Sequence, residues 1–259
     1  MRPPLIGGAA WPRLLAHRGL HGPGRPENGL SAFAAAIAGG FGIECDLQPA
    51  RDGTVMVFHD EALERMTGYK AAIRDLTAAE LAGLRLLGSG DHIPTLAELL
   101  ALTAGRVPLL IEIKDQSGDL SAGDDAFVAA IVAGLRDYAG PVALMSFNPE
   151  LVAEARHLRP DLAVGLVTCD YSEADWPEIP AARRAHLRDI ADFDRAGADF
   201  ISHDRADLAN PAVIALKARG VPVATWTIRS PLQAAAARAQ GADFLTFEGY
   251  LPEASEIDA

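Results

Sequence analysis

The stretch AGADFISHDRADLANPAVIALKARGVPVATWTIRSPLQAAAARAQGADFLTF (196–247) decides the fold class. It contains two near-copies, AGADF at 196–200 and QGADF at 240–244, each with a glycine after a helical pattern and before a β-rich run. A glycine at such a junction can end a helix by adopting positive φ. Alternation of short β-rich runs with Ala-rich helical patterns is typical of parallel βα units. The stretch therefore predicts an α/β fold built from similar units.

The same alternation continues through the rest of the chain. Predicted strands cover 14–17, 42–47, 107–114, 142–147, 163–168, 200–203, 221–227 and 244–246. Predicted helices cover 30–38, 95–103, 125–138, 149–157, 181–196, 211–219 and 231–239. Eight such strands with intervening helices predict a closed (β/α)₈ TIM barrel, which typically needs about 250 residues. A doubly wound open sheet would also explain the alternation. We interpret residues 1–259 as a single barrel domain.

The segment after the second predicted strand interrupts this alternation. Arg-Asp-Gly (51–53) is a turn sequence, so 42–48 and 54–59 predict a hairpin. A short helix is expected near 77–84, because Thr77 and Glu80 have the spacing of a capping box. We interpret 60–94 as a small insertion above the barrel and not as a second domain.

Composition and charge narrow the function classes. The formal net charge of −12 argues against nucleic acid as a partner, since nucleic acid favours a positive surface. Two cysteines without metal-type spacing give no reason to expect a disulfide framework or a zinc site. The first fifteen residues contain no signal-type apolar run, and no stretch approaches the roughly 18 apolar residues of a membrane span. We therefore expect a cytoplasmic protein without stable membrane insertion.

The second strand carries two carboxylates on one face. In IECDL (43–47), side chains alternate, so Glu44 and Asp46 point to one side and Cys45 to the other. Like charges at this spacing on an apolar strand are costly to bury unless a cation lies between them. A divalent metal would satisfy both carboxylates, and an arginine partner is the alternative.

The third strand adds a carboxylate and an ammonium group. In LIEIK (110–114), Glu112 and Lys114 share a face, so Glu112 can reach the site of Glu44 and Asp46 from the neighbouring strand. Three carboxylates without a cysteine favour Mg²⁺ or Ca²⁺ over zinc. Lys114 would place positive charge beside that metal, as an anionic substrate requires. A simple Glu112–Lys114 ion pair is the competing account.

Two histidines follow β-rich runs, at the end of a parallel barrel where active sites form. His17 begins HRG (17–19), and histidine suits acid–base work because it titrates near neutrality. Arg18 offers a planar fork for phosphate oxygens. His59 closes the run VFH (57–59), and Asp60 is expected either to orient His59 or to cap the next segment of the chain.

The tripeptide PEN (26–28) precedes the helix that begins near Leu30. Capping explains it without invoking a site. Asn28 or Ser31 can cap the helix, and Glu27 favours its positive N-terminus.

These motifs together resemble the glycerophosphodiester phosphodiesterase family over about residues 14–250. The matching elements, in the family's order and approximate spacing, are HRG (17–19), PEN (26–28), ExD (44–46), DG (52–53), HD (59–60), RMTG (65–68), IPTLAELL (93–100), ExK (112–114), SF (146–147) and WT (226–227). Each element alone is weak, but the ordered set is specific. The resemblance implies a TIM barrel that hydrolyses glycerophosphodiesters to glycerol 3-phosphate and an alcohol.

The resemblance also implies roles for individual residues. One divalent cation, Mg²⁺ or Ca²⁺, would be held by Glu44, Asp46 and Glu112. His17 and His59 would form the acid–base pair, with His17 as the base and His59 as the acid. As in related barrel phospholipases, the substrate's own hydroxyl would attack first and give a cyclic phosphate. The implied substrate contacts are Arg18, Lys114, Glu27 and the pocket-wall residue Trp226.

Two positions depart from the family pattern. Gly29 replaces the usual threonine after PEN, and Glu248 stands where the family commonly has aspartate or asparagine. Glu248 either replaces that polar group or alters the rim of the site. The other histidines are interpreted as residues outside the site. His21 lies in a loop, and for His203, which ends a strand, reaching the mouth is the alternative.

Two rival functions remain open from sequence. One is a phospholipase C/D-like barrel acting on phospholipid or lysophospholipid. The other is a barrel that binds phosphodiesters without turnover, for which loss of a histidine or carboxylate would be expected.

Overall fold

The chain forms a closed parallel barrel, which confirms the predicted (β/α)₈ TIM fold. A computed structural model describes residues 11–253. The strands are β1 (Leu14–Ala16), β2 (Gly42–Pro49), β3 (Val55–Val57), β4 (Leu109–Ile113), β5 (Val142–Ser146), β6 (Ala163–Thr168), β7 (Phe200–Asp204), β8 (Val223–Ile228) and β9 (Phe244–Phe247). All but β3 pair in parallel, and pairing of β1 with both β2 and β9 closes the ring. Closure excludes the open doubly wound sheet.

Helices occupy the connections between the strands. They are α1 (Leu30–Ala38), α2 (Glu64–Thr67), α3 (Ala78–Ala82), α4 (Leu96–Thr103), α5 (Asp125–Gly134), α6 (Pro149–Leu158), α7 (Ala181–Arg188), α8 (Pro211–Ala218) and α9 (Pro231–Ala239). Proline occupies the first turn of α6, α8 and α9, where no intrahelical N–H donor is needed. The helix predicted over 181–196 is wrong in its second half. It ends at Arg188, and Ile190 then has a φ of 49°, which a continuing helix does not allow.

Alternating side chains divide the core into two layers. One set of strand residues packs with the surrounding helices, and Ile43, Cys45 and Leu47 of β2 belong to it. The other set fills the barrel interior and includes Leu110, Met145 and Phe200. Because both faces of each strand are buried, the strands are apolar almost throughout. A polar side chain on an inward position therefore stands out.

Gly165 on β6 shows how closely the interior is packed. A Cβ at this position would lie 2.4 Å from the ring of Phe200 on the neighbouring strand β7. Because glycine has no side chain, the Phe200 ring can occupy this part of the barrel interior. Small and large residues on neighbouring strands fill the barrel interior. Polar groups gather at the carboxyl ends of the strands.

The insertion packs on the hairpin at the carboxyl end of β2. β3 pairs antiparallel with β2, with Leu47 opposite Val57, as the turn sequence predicted. A small apolar cluster joins the insertion to the hairpin, with Met56 and Phe58 from the hairpin and Leu63 and Ile93 from the insertion. The capping box on α3 is present, with Thr77 and Glu80 bonding reciprocally. The insertion therefore lies against the barrel end where parallel strands deliver their active-site residues.

The start of α1 differs from the prediction. Gly29 is the N-cap and makes no side-chain bond, so neither Asn28 nor Ser31 caps the helix. Instead Asp91 of the insertion accepts hydrogen bonds from the Ser31 backbone N–H at 3.0 Å and from Ser31 Oγ at 2.6 Å. A Cβ on Gly29 would lie 2.7 Å from Asp91 Oδ2. Glycine in place of threonine thus leaves room for a cap supplied from 60 residues away.

Between residues 11 and 253, no helix has the length and apolar character needed to cross a membrane. The expectation that the chain starts without a signal-type run concerns a stretch of which residues 1–10 lie outside the described part. Both cysteines, Cys45 and Cys169, are buried free thiols.

We predict that Asp91→Ala lowers the free energy of unfolding by about 1 kcal/mol, the usual contribution of a helix N-cap. The loss follows because two donors at the start of α1 lose their acceptor. Urea denaturation measures it. Asp119→Ala is the control, since Asp119 is an exposed carboxylate that accepts from Ser121 within a loop. Equal stability of the two variants would contradict the capping role.

Candidate active site

A cavity of about 220 Å³ opens at the carboxyl ends of the barrel strands. Most of its lining comes from inward-facing positions on different strands, which the closed barrel brings together. The lining residues are His17, Arg18, Glu44, Asp46, His59, Glu112, Lys114, Met145, Phe147, Val167, Ser202, Trp226, Thr227, Arg229 and Thr246. Eight of the nine residues singled out from the sequence are in this set, and Glu27 is the exception.

The three carboxylates of β2 and β4 converge at this cavity. Parallel pairing places Asp46 opposite Glu112, and Glu44 is two residues back on the same face of β2. One ligand atom from each lies within 4.8 Å of the others, and all three residues are buried. Three oxygen donors this close match the ligand type of Mg²⁺ and Ca²⁺.

Two cations contact the carboxylates directly. Lys114 Nζ lies 2.8 Å from Asp46 Oδ1 and 2.7 Å from Glu112 Oε1. Arg18 Nε lies 3.5 Å from Asp46 Oδ2, and the Arg18 backbone N–H donates to Glu44 Oε2 at 3.0 Å. Both ion pairs that the sequence left open are therefore present. Three carboxylates face two cationic side chains in this group, so one negative charge remains in excess.

The pKa shifts show which carboxylate carries the excess. Burial, followed by the charges of Asp46 and Glu112, raises the pKa of Glu44 well above its ordinary value. Burial opposes ionisation of Asp46 too, but Lys114, His59 and Arg18 hold the pKa of Asp46 well below its ordinary value. Glu44 is thus the group whose ionised form most needs a further positive charge. The donor set fits a divalent cation, which would supply that charge.

His17 has a carboxylate partner that the sequence did not assign. β1 lies beside β9, and the Nδ1 atom of His17 hydrogen-bonds the Oε2 atom of Glu248, just past β9. Arg229 NH2 and His21 Nε2 approach the same carboxylate at 2.6 Å and 3.5 Å. Burial raises the pKa of Glu248, but the hydrogen bond from His17 and the nearby side chains of His21 and Arg229 hold it well below its ordinary value. His21 therefore lies beside the carboxylate that contacts His17.

The distance along the chain explains why the sequence did not pair Glu248 with His17. Glu248 and His17 are 231 residues apart and meet only because β9 and β1 close the barrel. The available signal was its position, since Glu248 follows the last strand and the first strand ends at His17. Its length beyond aspartate or asparagine lets it reach Nδ1 from there.

His59 also has a carboxylate partner, its chain neighbour. Its Nδ1 atom lies 2.7 Å from Asp60 Oδ1. Burial raises the pKa of Asp60, but hydrogen bonds from His59 and Arg65 hold it well below its ordinary value. Asp60 therefore stays anionic beside the imidazole. Of the two alternatives for Asp60, the geometry matches orientation of His59.

The opposite wall of the cavity is apolar and aromatic. Phe147 lies between Trp226 and Trp176, with ring centroids 5.7 Å and 5.1 Å away. Trp226 is fixed by its indole N–H, which donates to the Ser202 carbonyl at 3.0 Å. The cavity is thus charged on the side of β2 and β4 and apolar on the side of β5 and β8.

Glu27 and His203 lie outside the cavity lining. Glu27 accepts from Arg18 NH1 at 2.8 Å and so lies behind that side chain. Asn28, next to it, donates to Asp46 Oδ2 at 2.9 Å. His203 faces away from the cavity and is fully buried, with Nδ1 at 2.8 Å from Thr168 Oγ1. The idea that His203 reaches the mouth is therefore wrong.

Comparison with known proteins decides the family. The model of the glycerophosphoryl diester phosphodiesterase family matches residues 17–248, from His17 to Glu248. The chain belongs to this family. Its members are hydrolases, and the match covers every residue of the cavity described above.

Individual members of the family resemble the chain over much of its length. A glycerophosphodiester phosphodiesterase of Caldanaerobacter subterraneus subsp. tengcongensis is 31% identical over 163 residues, 60% of this chain and 65% of that one. A phosphodiesterase of Oleispira antarctica, solved in complex with the product sn-glycerol-3-phosphate, superposes with a TM-score of 0.79 and 25% identity, covering 96% of this chain and 98% of that one. A Thermotoga maritima glycerophosphodiester phosphodiesterase shares the fold, with a TM-score of 0.68, 22% identity and coverage of 91% and 93%.

We predict that Glu44→Gln has opposite effects with and without a divalent cation. A folded-state pKa raised above 4.5 means that the folded chain binds more protons than the unfolded chain, so wild-type stability in EDTA falls as pH rises from 4.5. Glu44→Gln removes this penalty and should be more stable than wild type in EDTA at pH 8. Added Mg²⁺ or Ca²⁺ should stabilise wild type and have less effect on the variant.

Thermal unfolding across pH, with EDTA or with each metal, measures both effects. Asp46→Asn is the matched contrast, because it removes the counter-charge of Lys114 and Arg18 and should destabilise the chain in EDTA. An equal response of Glu44→Gln and wild type to the metals would show that Glu44 is not a ligand.

Proposed function

We propose that the chain hydrolyses glycerophosphodiesters to glycerol 3-phosphate and an alcohol, with one bound divalent cation. The observation that carries the proposal is the arrangement of the cavity. A buried carboxylate cluster lines the same cavity as two imidazoles, each with its own carboxylate partner. Family membership supports the reaction, and the complex of the Oleispira antarctica relative with sn-glycerol-3-phosphate supports the product.

Glu44, Asp46 and Glu112 would hold the cation, either Mg²⁺ or Ca²⁺. When bound, it would polarise a phosphoryl oxygen and offset charge that develops in the transition state. Asn28 and the Arg18 backbone N–H fix the orientation of Asp46 and Glu44 through hydrogen bonds of 2.9 Å and 3.0 Å. These contacts hold the carboxylates in place on a rigid strand.

Arg18 and Lys114 bind the phosphodiester anion in this proposal. Both line the cavity; Arg18 is held by Glu27 behind it, and Lys114 is held by Asp46 and Glu112. Burial lowers the pKa of Lys114, but Asp46 and Glu112 raise it above its ordinary value, so the ammonium stays charged. The aromatic wall of Phe147 and Trp226 would contact the carbon skeleton of the substrate.

His17 acts as the base. Its Nδ1–H donates to the Glu248 carboxylate, which leaves the lone pair of Nε2 as the proton acceptor. Burial lowers the pKa of His17 although the hydrogen bond to Glu248 raises it, so the imidazole is neutral at pH 7. Nε2 takes the proton of the substrate hydroxyl next to the phosphate, and that oxygen attacks phosphorus to form a cyclic phosphate.

His59 acts as the acid. Its Nδ1 atom contacts the Asp60 carboxylate at 2.7 Å, and its side chain lines the cavity and is 32% exposed. Its proton passes to the departing alcohol oxygen as the P–O bond breaks. Water then opens the cyclic phosphate to glycerol 3-phosphate, with His59 as base and His17 returning its proton to the ring oxygen.

A panel of substrates tests the reaction class. We expect turnover of water-soluble glycerophosphodiesters, measured as glycerol 3-phosphate release, with loss in EDTA and recovery on addition of Mg²⁺ or Ca²⁺. Lysophospholipid and intact phospholipid vesicles represent the rival phospholipase function. Faster release from those lipids would favour the rival, and binding of all substrates without turnover would favour the non-catalytic barrel.

We predict that His17→Ala and His59→Ala each lose about 10²–10⁴-fold in kcat, the usual range of general acid–base catalysis. A substrate with a nitrophenol leaving group separates the two roles, since its alcohol departs without protonation. His59→Ala should regain activity on it, whereas His17→Ala should not. His157→Ala, at an exposed helix position, is the control. Near-normal turnover by either folded variant would remove that histidine from the mechanism.

A further inference from the structure

Arg65 of the insertion binds two carboxylates with one guanidinium group. Its Nε and NH2 atoms lie 2.5 Å and 2.9 Å from the two oxygens of Asp60. Its NH1 and NH2 atoms lie 3.0 Å and 2.6 Å from the two oxygens of Glu27. Both contacts are bidentate, a geometry that the planar guanidinium offers and a lysine ammonium does not.

Each of these carboxylates continues to a residue of the cavity. Asp60 bonds Nδ1 of His59, and Glu27 accepts from NH1 of Arg18. Arg65 therefore connects, through one carboxylate on each side, His59 at the end of the hairpin with Arg18 after β1. Arg65, Glu27 and Asp60 do not line the cavity themselves. These three residues can therefore affect the cavity through Arg18 and His59, which Glu27 and Asp60 contact.

Charge explains why the two carboxylates need this arginine. Glu27 and Asp60 contact the same guanidinium group. Without Arg65, the two carboxylates would lie near each other and the positive charge that they share would be missing. Burial opposes the ionised form of both, and hydrogen bonds from Arg65 help hold the pKa of each below its ordinary value. Without this side chain, Glu27 and Asp60 would repel each other and release Arg18 and His59 from their positions.

We propose that Arg65 is a positioning residue that fixes Arg18 and His59 relative to each other, and that the insertion serves the site through this side chain. The inference rests on the proposed function, in which Arg18 binds the phosphodiester and His59 protonates the leaving group. It assigns a role to RMTG (65–68), which neither the cavity lining nor the carboxylate cluster includes.

The test compares Arg65→Ala and Arg65→Lys with Arg51→Ala. Arg51 is a matched control in the neighbouring hairpin, exposed like Arg65 and bonded to Glu80 at 2.9 Å and to the Asp75 carbonyl at 2.7 Å. We expect both Arg65 variants to lower kcat and raise KM, with a total loss in kcat/KM of about 10–100-fold, the range for residues that orient others. Arg51→Ala should keep wild-type kinetics.

Two further measurements separate positioning from a general structural role. Glu27→Gln should act mainly on KM through Arg18, and Asp60→Asn mainly on kcat through His59. The triple variant with Arg65→Ala should lose little more kcat/KM than the double variant Glu27→Gln/Asp60→Asn, because all three substitutions break the same connection. Guanidinium ion, added below unfolding concentrations, should restore part of the kcat of Arg65→Ala and none of the activity of His59→Ala.

The outcomes are distinguishable. Wild-type kinetics in the two Arg65 variants, with near-complete loss in His59→Ala and Arg18→Ala, would overturn this inference and leave the proposed function standing. Near-normal turnover in His59→Ala and Arg18→Ala would overturn the proposed function. If Arg65→Ala does not fold, Arg65→Lys decides, and a loss of kcat that follows only its melting temperature would also count against the inference.

Discussion

Burial of like charge at the carboxyl ends of β2 and β4 is the constraint on which the rest of the site depends. Glu44, Asp46 and Glu112 lie close enough to share one ion, inside a barrel whose interior is largely apolar. Isolated carboxylates are expensive to bury, so the surrounding elements must supply positive charge and hydrogen-bond donors. Lys114 and Arg18 supply part of it, and a divalent cation would offset the negative charge that remains.

Further carboxylates contact the histidines and the arginine that surround this cluster. Glu248 and Asp60 orient the two imidazoles, and Glu27 supports Arg18. These groups come from the segment after the last strand, the insertion and the loop after β1, so they link parts of the chain that strand pairing alone does not connect. The insertion adds a further link through Asp91, which caps α1. The insertion therefore helps to hold the site residues in position, through Asp60 and Asp91.

The sequence was most informative where function depends on local pattern. Period-two alternation was enough to place Glu44 and Asp46 on one face and to add Glu112 and Lys114 from the next strand. It was less informative at element boundaries, where the helix predicted over 181–196 is too long. At PEN (26–28) the pattern suggested a helix cap, but the Asn28 amide donates to Asp46 instead. Local propensity cannot reveal a competing long-range partner.

By itself the sequence determined the repeated βα units, the inward face of each strand and the family, because these follow from periodicity and from ordered motifs along the chain. Only the tertiary structure decided that Glu248 meets His17, that Asp91 caps α1 and that Arg65 links Glu27 to Asp60. Each of these contacts joins side chains brought together by barrel closure or by packing of the insertion. Their geometry depends on distances in space that no spacing along the chain encodes.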